Sequence, residues 1–218
     1  ERPRHRAPRP PVEGGVTFYA RRERFSRCQT AVGVQLSRLP LTANGWTLLG
    51  VALGLSTVAA LAAGSLLAAG VLYALAGVCD LADGAVARQR GSASPRGAYL
   101  DTLADRAVEA APLFGLLMVP LPALALSAAQ WLFLNLFLGL MGTYAKAAAT
   151  EKGLAEREMA GGGLLEHPER VILLAAGLVA GHLHPALLVW ALALLAALGA
   201  VSLIQRIRLA LRASRRPR

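Results

Sequence analysis

Long apolar runs follow one another along this chain, separated by short polar or basic segments. A helix that spans a bilayer needs about 20 mostly apolar residues, and six such runs can be placed. They cover residues 42–63, 66–88, 98–119, 122–147, 165–181 and 184–207. The pattern therefore predicts an all-α integral membrane protein with six transmembrane helices. The alternative is a soluble all-helical protein with buried helices, but runs this long and continuous favour the membrane.

The segments outside the runs divide the rest of the chain. Residues 1–15 are rich in Arg and Pro, which predicts a linker or a disordered arm. Residues 16–39 mix aromatic and aliphatic residues with arginines, which predicts a juxtamembrane amphipathic helix in the membrane interface. A loop with scattered apolar residues is the alternative there. Residues 40–210 then form the six-helix domain, and residues 211–218 form a basic tail.

The distribution of basic residues orients the predicted helices. The chain has a net charge of +10, and nearly all Lys and Arg fall in the N-terminal arm, the 88–97 and 148–163 loops, and the C-terminal tail. The other three loops, at residues 62–65, 119–123 and 181–185, carry none. With six spans the basic segments lie on one side, which the positive-inside rule makes cytoplasmic, so both termini are expected inside. Anionic headgroups account for these clusters, so the expected partner is the lipid bilayer and not nucleic acid.

Four aspartates interrupt the apolar pattern where the second run ends and the third begins. Asp80 and Asp83 are three residues apart, and Asp101 and Asp105 are four apart, so each pair shares one face of its helix. Both pairs are expected near the cytoplasmic ends of adjacent antiparallel helices. Carboxylates beside hydrocarbon are costly, and four together repel one another. One or two divalent cations would relieve this repulsion, so the pattern predicts a metal site.

The residues around the aspartates suit phosphate chemistry. Mg²⁺ is usually held by a few carboxylates together with substrate phosphates, and two metals can stabilise both oxygens of a phosphoryl displacement. A fourth carboxylate is then available as a general base. Gly84 and Gly97 leave room for a substrate against the backbone, and Ala87 extends that smooth surface. The guanidinium of Arg88 could bind a phosphate.

The full spacing resembles the signature of the CDP-alcohol phosphotransferase family, D-x-x-D-G-x-x-A-R-x8-G-x-x-x-D-x-x-x-D, and matches every defined position between Asp80 and Asp105. The resemblance implies metal-dependent transfer of a phosphatidyl-type or phosphoinositol group from a CDP-alcohol donor to an alcohol acceptor, with release of CMP. It implies a role in phospholipid or inositol-phosphodiester synthesis. It also implies Mg²⁺ or Mn²⁺ as cofactor, with two ions expected. The charge distribution described above predicts that this site faces the cytoplasm.

The resemblance also assigns roles to residues. Asp105 becomes the candidate catalytic base, which deprotonates the acceptor hydroxyl. The implied metal ligands are Asp80, Asp83, Asp101 and Asp105. The residues implied to shape the CDP pocket are Asp80, Asp83, Gly84, Ala87, Arg88 and Gly97.

The start of the first span resembles the family's entry sequence, Thr-Pro-Asn-x-x-Thr. Residues 42–47 match it except that Ala43 replaces the usual Pro, which weakens the implied nucleotide contact from Asn44 or Thr47. Thr42 or Asn44 is expected to cap this first helix.

Basic residues on the later spans indicate the acceptor. Lys146 and Arg170 could both face the aspartates and hold an anionic acceptor such as an inositol phosphate. Residues 166–170 loosely resemble the region between the fourth and fifth spans of the family members that use phosphorylated inositol. Alternatively, both basic residues are interfacial anchors. Arg106 and Glu109 are expected to pair with each other or to support the acidic cluster.

Two other function classes are alternatives to the transferase. A cation-coupled transporter could use the acidic cluster as its ion site, but carriers usually place such groups near the bilayer midplane. A catalytically dead scaffold would be expected to lack one of the acids, and none is missing. Two further partners stay open: a second copy of the chain in a homodimer, and an upstream cytidylyltransferase domain, since a chain that begins in an Arg/Pro linker fits a fragment as well as a poorly structured N-terminus.

Overall fold

The computed structural model describes residue 35, residues 39–154 and residues 164–213. The predicted linker, nearly all of the predicted interfacial helix and the end of the basic tail lie outside these described residues. Within them, six helices follow one another and no strand forms, which confirms the predicted all-α class. The helices are α1 (Ala43–Ala62), α2 (Leu66–Gln89), α3 (Pro95–Leu116), α4 (Ala128–Glu151), α5 (His167–Leu183) and α6 (Pro185–Ala213).

Four of these helices, α1, α2, α4 and α6, are long and apolar enough to cross a membrane. Helix α5 is shorter, with 17 residues, and α3 carries five charged residues in its first fifteen positions. Large apolar side chains also cover the outer surface: Leu48, Phe133 and Trp190 are 70%, 66% and 61% exposed. An apolar exterior of this extent is typical of a surface that faces lipid rather than water.

Local capping chemistry decides where the helices begin. Thr42 caps α1, as one of the two expected capping residues, and its hydroxyl accepts a hydrogen bond from the Gly45 N–H at 3.1 Å. Ser94 caps α3, which therefore begins at Pro95 rather than at the predicted 98. Ser127 forms a capping box with Gln130, so α4 begins at residue 128 and not at 122.

The packing order of the helices positions the polar residues. Helix α1 packs along both α2 and α3, whereas α2 and α3 contact each other only slightly. Helix α2 also packs along α5, and α6 packs along both α4 and α5. The apolar core between them includes the fully buried Tyr73, Leu178 and Leu192.

Glycines allow α2 and α5 to approach closely. A Cβ on Gly70 would lie 2.8 Å from Val179 Cγ2, and a Cβ on Gly77 would lie 2.6 Å from Val171 Cγ1, so any side chain would force the helices apart. The contact is antiparallel. It therefore brings the start of α5 beside the end of α2, where the first aspartate pair lies.

Candidate functional site

The structure brings the four predicted aspartates together between α2 and α3. Ligand oxygens of Asp80, Asp83 and Asp101 all lie within 4.8 Å of one another. Asp80, Asp105 and His167 form a second group with ligand atoms within the same distance. Asp80 belongs to both groups, so the two clusters are adjoining halves of one acidic site.

The acidic site has the bonding pattern of a cation site. The Asp83 side chain is buried and accepts a hydrogen bond from the Thr47 hydroxyl at 2.7 Å, which fixes its orientation. Asp101 Oδ1 is buried, and no hydrogen-bond partner reaches it from the described residues. A buried carboxylate oxygen without a donor is costly unless something positive binds it. Hard divalent cations prefer such oxygen ligands, so the residues present fit Mg²⁺ or Mn²⁺.

A cavity of about 320 Å³ opens on one side of the aspartates. Asp83 and Asp101 are among the residues that line it. The other predicted CDP-pocket residues that line it are Gly84, Ala87, Arg88 and Gly97, so Asp80 is the one predicted member outside it. Asn44 and Thr47 also line this cavity. Hereafter we call it the donor-side cavity.

Two small features of the sequence shape this donor-side cavity. Arg88 folds back over Gly84, since a Cβ on Gly84 would lie 3.3 Å from Arg88 Nη1. The Gly97 N–H donates to the capping hydroxyl of Ser94 at 3.1 Å. The two glycines thus leave the backbone accessible, while the guanidinium stays beside the opening.

A second and larger cavity, of about 730 Å³, also adjoins the aspartates, and we call it the acceptor-side cavity. Asp105 is the only one of the four aspartates that lines it, and the predicted acceptor residues Lys146 and Arg170 line it too. Arg106 and Arg206 add two more cationic side chains to the wall. Arg206 is held there because its Nη1 donates to the Gly142 carbonyl at 2.7 Å.

A buried ion network forms the inner wall of the acceptor-side cavity. Arg106 and Glu109 pair with each other, as expected from their spacing, and Glu109 also pairs with Arg170 on α5. Arg170 donates in addition to the Asn135 carbonyl at 2.9 Å. Gly139 makes room for this network, because a Cβ there would lie 2.5 Å from Glu109 Oε1. Arg170 is therefore a buried, hydrogen-bonded group rather than a surface anchor.

Two residues of the site were not among the predicted ones. His167 joins the acidic cluster from the start of α5, and Arg206 reaches the cavity from the last turns of α6. Arg206 lies inside the predicted span 184–207, and an ionisable residue inside a span is a signal for function. His167 had a weaker signal, since it sits three residues before Arg170, on the same helix face.

Known proteins are similar to this chain in sequence and in fold. A sequence model of the CDP-alcohol phosphatidyltransferase family matches residues 40–204. An archaetidylinositol phosphate synthase from Methanothermobacter thermautotrophicus is 35% identical over 170 residues, covering 78% of this chain and 83% of the relative. A phosphatidylinositol phosphate synthase from Mycobacteroides abscessus is 34% identical over 164 residues, covering 72% of this chain and 71% of the relative.

Solved structures agree with these relatives. The crystal structure of Mycobacterium tuberculosis phosphatidylinositol phosphate synthase with CDP-DAG bound has a TM-score of 0.69 and 27% identity, covering 88% of this chain and 99% of that chain. The same enzyme in complex with manganese and citrate has a TM-score of 0.70 and 27% identity, covering 87% and 93%. These proteins are synthases, so the comparison does not support a cation-coupled transporter.

Proposed function

Because the chain belongs to the CDP-alcohol phosphatidyltransferase family, we propose that it transfers a phosphatidyl-type group from a membrane CDP-alcohol to an inositol phosphate and releases CMP. One observation carries the proposal. Two cavities with different linings meet at a single cluster of four carboxylates. Such a layout suits a reaction in which two substrates occupy different cavities and a phosphate group passes from one to the other at the cluster.

The smaller cavity is assigned to the cytidine diphosphate of the donor. Gly84, Ala87 and Gly97 keep its wall free of bulky side chains, so a diphosphate can approach the backbone. Arg88 stands beside them and supplies a guanidinium for a phosphate oxygen. A relative with CDP-DAG bound supports a lipid-linked donor.

The four aspartates are assigned to divalent cations, with Asp80, Asp83 and Asp101 at one position and Asp80 and Asp105 at the other. When bound, the cations supply charge stabilisation for the attacking and leaving oxygens of a phosphoryl displacement. Thr47 holds Asp83 in place through its 2.7 Å hydrogen bond. The manganese complex of the structural neighbour supports the metal, and the position of Asp80, within 4.8 Å both of Asp105 and of the Asp83 and Asp101 oxygens, supports two ions.

Asp105 is assigned as the general base for the acceptor hydroxyl. It is the only one of the four carboxylates in the wall of the acceptor-side cavity, so it alone can meet an alcohol that binds there. Lys146 and Arg206 line the same cavity and suit the phosphate of an inositol phosphate, with Arg170 behind them in the ion network. The named relatives are inositol phosphate synthases, which supports this acceptor.

The site is assigned to the cytoplasmic side of a six-span protein. The acidic cluster lies toward the ends of α2 and α3 that carry Arg88, Arg90 and Arg96, whereas the loops at the other end, residues 63–65, 117–127 and 184, carry no Lys or Arg. This asymmetry follows the positive-inside rule. A homodimer and an upstream cytidylyltransferase domain stay predictions from the sequence.

A CMP-release assay tests the proposed reaction. Purified protein is given CDP-diacylglycerol, Mg²⁺ or Mn²⁺, and one acceptor at a time: inositol phosphate, glycerol phosphate, serine or inositol. We expect release with inositol phosphate well above the other three, and reversible loss on chelation of the metal. Equal release with unphosphorylated inositol would overturn the acceptor. Donor binding without CMP release in the presence of any acceptor would overturn the reaction.

A matched pair of lysine variants tests the acceptor side. Lys146 lines the acceptor-side cavity, whereas Lys152 lies one turn and a half further on, where it pairs with the exposed Glu151. Lys146→Met should raise the KM for inositol phosphate by about tenfold or more, the loss expected for one charged contact. Lys152→Met should change that KM much less, since Lys152 itself does not line the cavity and only its partner Glu151 does. Equal effects from both would point to a general charge effect and against a specific contact.

A further inference from the structure

We infer that His167 is a positioning residue for Asp105, and that Arg106 determines which ring nitrogen of His167 carries the proton. This inference rests on the proposed role of Asp105 as the base. It assigns to His167 a function as a hydrogen-bond donor toward the acidic cluster, although its distance from Asp80 and Asp105 would also allow a metal ligand.

The proton position follows from the neighbour on the outer side of the ring. Arg106 Nη2 lies 3.1 Å from His167 Nδ1. A guanidinium can only donate, so Nδ1 must accept with its lone pair. A neutral imidazole carries a single proton, which then resides on Nε2. A doubly protonated ring is disfavoured because Nδ1–H would face the N–H groups of Arg106.

The other side of the ring faces the acidic cluster. His167 Nε2 lies 3.7 Å from Asp105 Oδ1, and the ring is largely buried. With its proton on Nε2, the ring presents an N–H to the carboxylate rather than a lone pair to a cation. Metal binding requires a deprotonated nitrogen, so the contact with Arg106 opposes metal coordination through Nε2.

Asp105 has a donor near each of its two oxygens. His167 approaches Oδ1, and Arg106 Nη2 lies 3.8 Å from Oδ2. These separations are longer than hydrogen bonds, as is common at catalytic groups before substrate binds, and the positioning role requires them to shorten in the substrate complex. Two donors on one side fix the rotamer of the carboxylate, which then stays directed at the acceptor-side cavity that Asp105 lines.

Arg106 can hold this position because it is anchored from behind. Its Nη1 donates to Glu109, which also pairs with Arg170, and Glu109 Oε2 lies 3.9 Å from His167 Nδ1. The guanidinium is thus shared among Glu109, His167 and Asp105, three groups on two helices. The groups that face the His167 ring are Asp80, Asp105, Arg106 and Glu109, with Arg170 behind Glu109.

Three substitutions at residue 167 separate positioning from a merely structural role. The amide nitrogen of Gln reaches about where Nε2 lies, whereas Asn reaches only the place of Nδ1, and Ala reaches neither. We expect His167→Ala and His167→Asn to lower kcat by about 10- to 100-fold, the range found when a group that orients a ligand is removed. The KM for the CDP-donor should not change. His167→Gln should recover most of the kcat.

Two spectroscopic measurements test the inference without relying on turnover. Nitrogen-15 NMR of histidine-labelled protein, with His167 assigned by its absence in His167→Gln, should show Nε2 protonated and Nδ1 unprotonated. Pulsed EPR of the Mn²⁺-loaded protein should show no coupling from a directly bound ring nitrogen of His167. A protonated Nδ1, or a manganese–nitrogen coupling that disappears in His167→Gln, would overturn the inference and make the residue a ligand.

The outcomes distinguish this inference from the proposed function. If the wild-type protein releases no CMP with inositol phosphate, the proposed function fails, while the NMR and EPR signatures still decide the role of the ring. If the wild-type protein is active and a folded His167→Gln is as impaired as His167→Ala, the positioning role fails alone. Wild-type kcat in His167→Ala would also overturn it.

Discussion

The two cavities beside the aspartates are built in opposite ways. The donor-side cavity is lined by residues that fall between Thr42 and Asp101 in the chain. Most of them have small side chains, and several belong to the aspartate motif. The acceptor-side cavity is lined by side chains from α3, α4, α5 and α6, and several of its charges are paired below the surface. The donor-side cavity makes room for a substrate by having small side chains, whereas the acceptor-side cavity holds charged side chains in fixed positions. Substitutions in the two cavities should therefore have different effects on stability and on substrate binding.

The largest effect on activity is expected at Asp105, the one aspartate of the acidic cluster that lines the acceptor-side cavity. Asp105→Asn keeps the shape of the side chain and removes its basicity, so kcat for CMP release should fall by about 10²- to 10⁴-fold. Donor binding, followed as the shift in thermal stability on adding CDP-diacylglycerol, should survive because Asp105 does not line the donor-side cavity. Wild-type turnover in this variant would refute its role as base.

The next largest effect is expected in the buried ion network, where a substitution should lower the stability of the fold more than it lowers the activity. Glu109→Gln leaves Arg106 and Arg170 without their carboxylate, and breaking a buried ion set costs about 3–5 kcal/mol. Thermal unfolding in detergent measures the loss.

The control for Glu109 is the exposed pair of Glu151 and Lys152, whose side chains are 71% and 69% exposed. Glu151→Gln should leave the unfolding temperature nearly unchanged, since exposed pairs contribute little. Equal unfolding temperatures for Glu109→Gln and Glu151→Gln would show that the acceptor side does not depend on buried charge.

A pair of glycines on α4 tests the same network by volume instead of charge. A Cβ on Gly139 would lie 2.5 Å from Glu109 Oε1 and 2.7 Å from Arg170 Nη2, whereas a Cβ on Gly142 would meet only Arg206 Nη1 at 3.5 Å. Gly139→Ala should destabilise the protein by about 1–3 kcal/mol, the usual cost of overpacking. Gly142→Ala, one turn away, should have near-normal stability. A larger loss of stability in Gly142→Ala than in Gly139→Ala would contradict the tight packing of the ion network against Gly139.

The smallest effect is expected on the donor side. A Cβ on Gly84 would lie 3.3 Å from Arg88 Nη1, the flexible end of a long side chain that can move aside. Gly84→Ala should therefore leave stability unchanged and raise the KM for CDP-diacylglycerol by less than about tenfold. Steady-state kinetics should show an unchanged KM for inositol phosphate. A change confined to the acceptor KM would contradict the assignment of the two cavities.

The helices themselves were largely predictable. Each of the six apolar runs overlaps one helix, and the two largest discrepancies are the end of α6, at residue 213 instead of 207, and the start of α4, at residue 128 instead of 122. At the start of α4, Pro120 and Pro122 precede the capping Ser127. Hydropathy records only that residues 122–127 are apolar, whereas a proline lacks the N–H a helix needs and a serine cap sets the first turn. The start of α3 at Pro95 has the same explanation, since Ser94 caps it.

The acceptor side was predictable only in part. Lys146 and Arg170 were identified from their charge near span ends, but nothing in the sequence indicates that Arg170 pairs with Glu109, which lies 61 residues earlier. The contact between Arg106 and His167 spans the same separation. Both contacts join α3 to α5, and a sequence pattern does not report how close helix packing brings two such helices.

The sequence by itself determined the helices, the sidedness of the charge and the four-aspartate motif, because these depend on hydrophobic periodicity and on residues close together in the chain. The tertiary structure alone decided that His167 and Arg206 belong to the site, that Thr47 holds Asp83, and that the acidic cluster separates two cavities. The physical reason is the range of the interactions. Helix formation and capping act over a few residues, whereas the site is assembled by side chains that only helix packing brings within a few ångströms of one another.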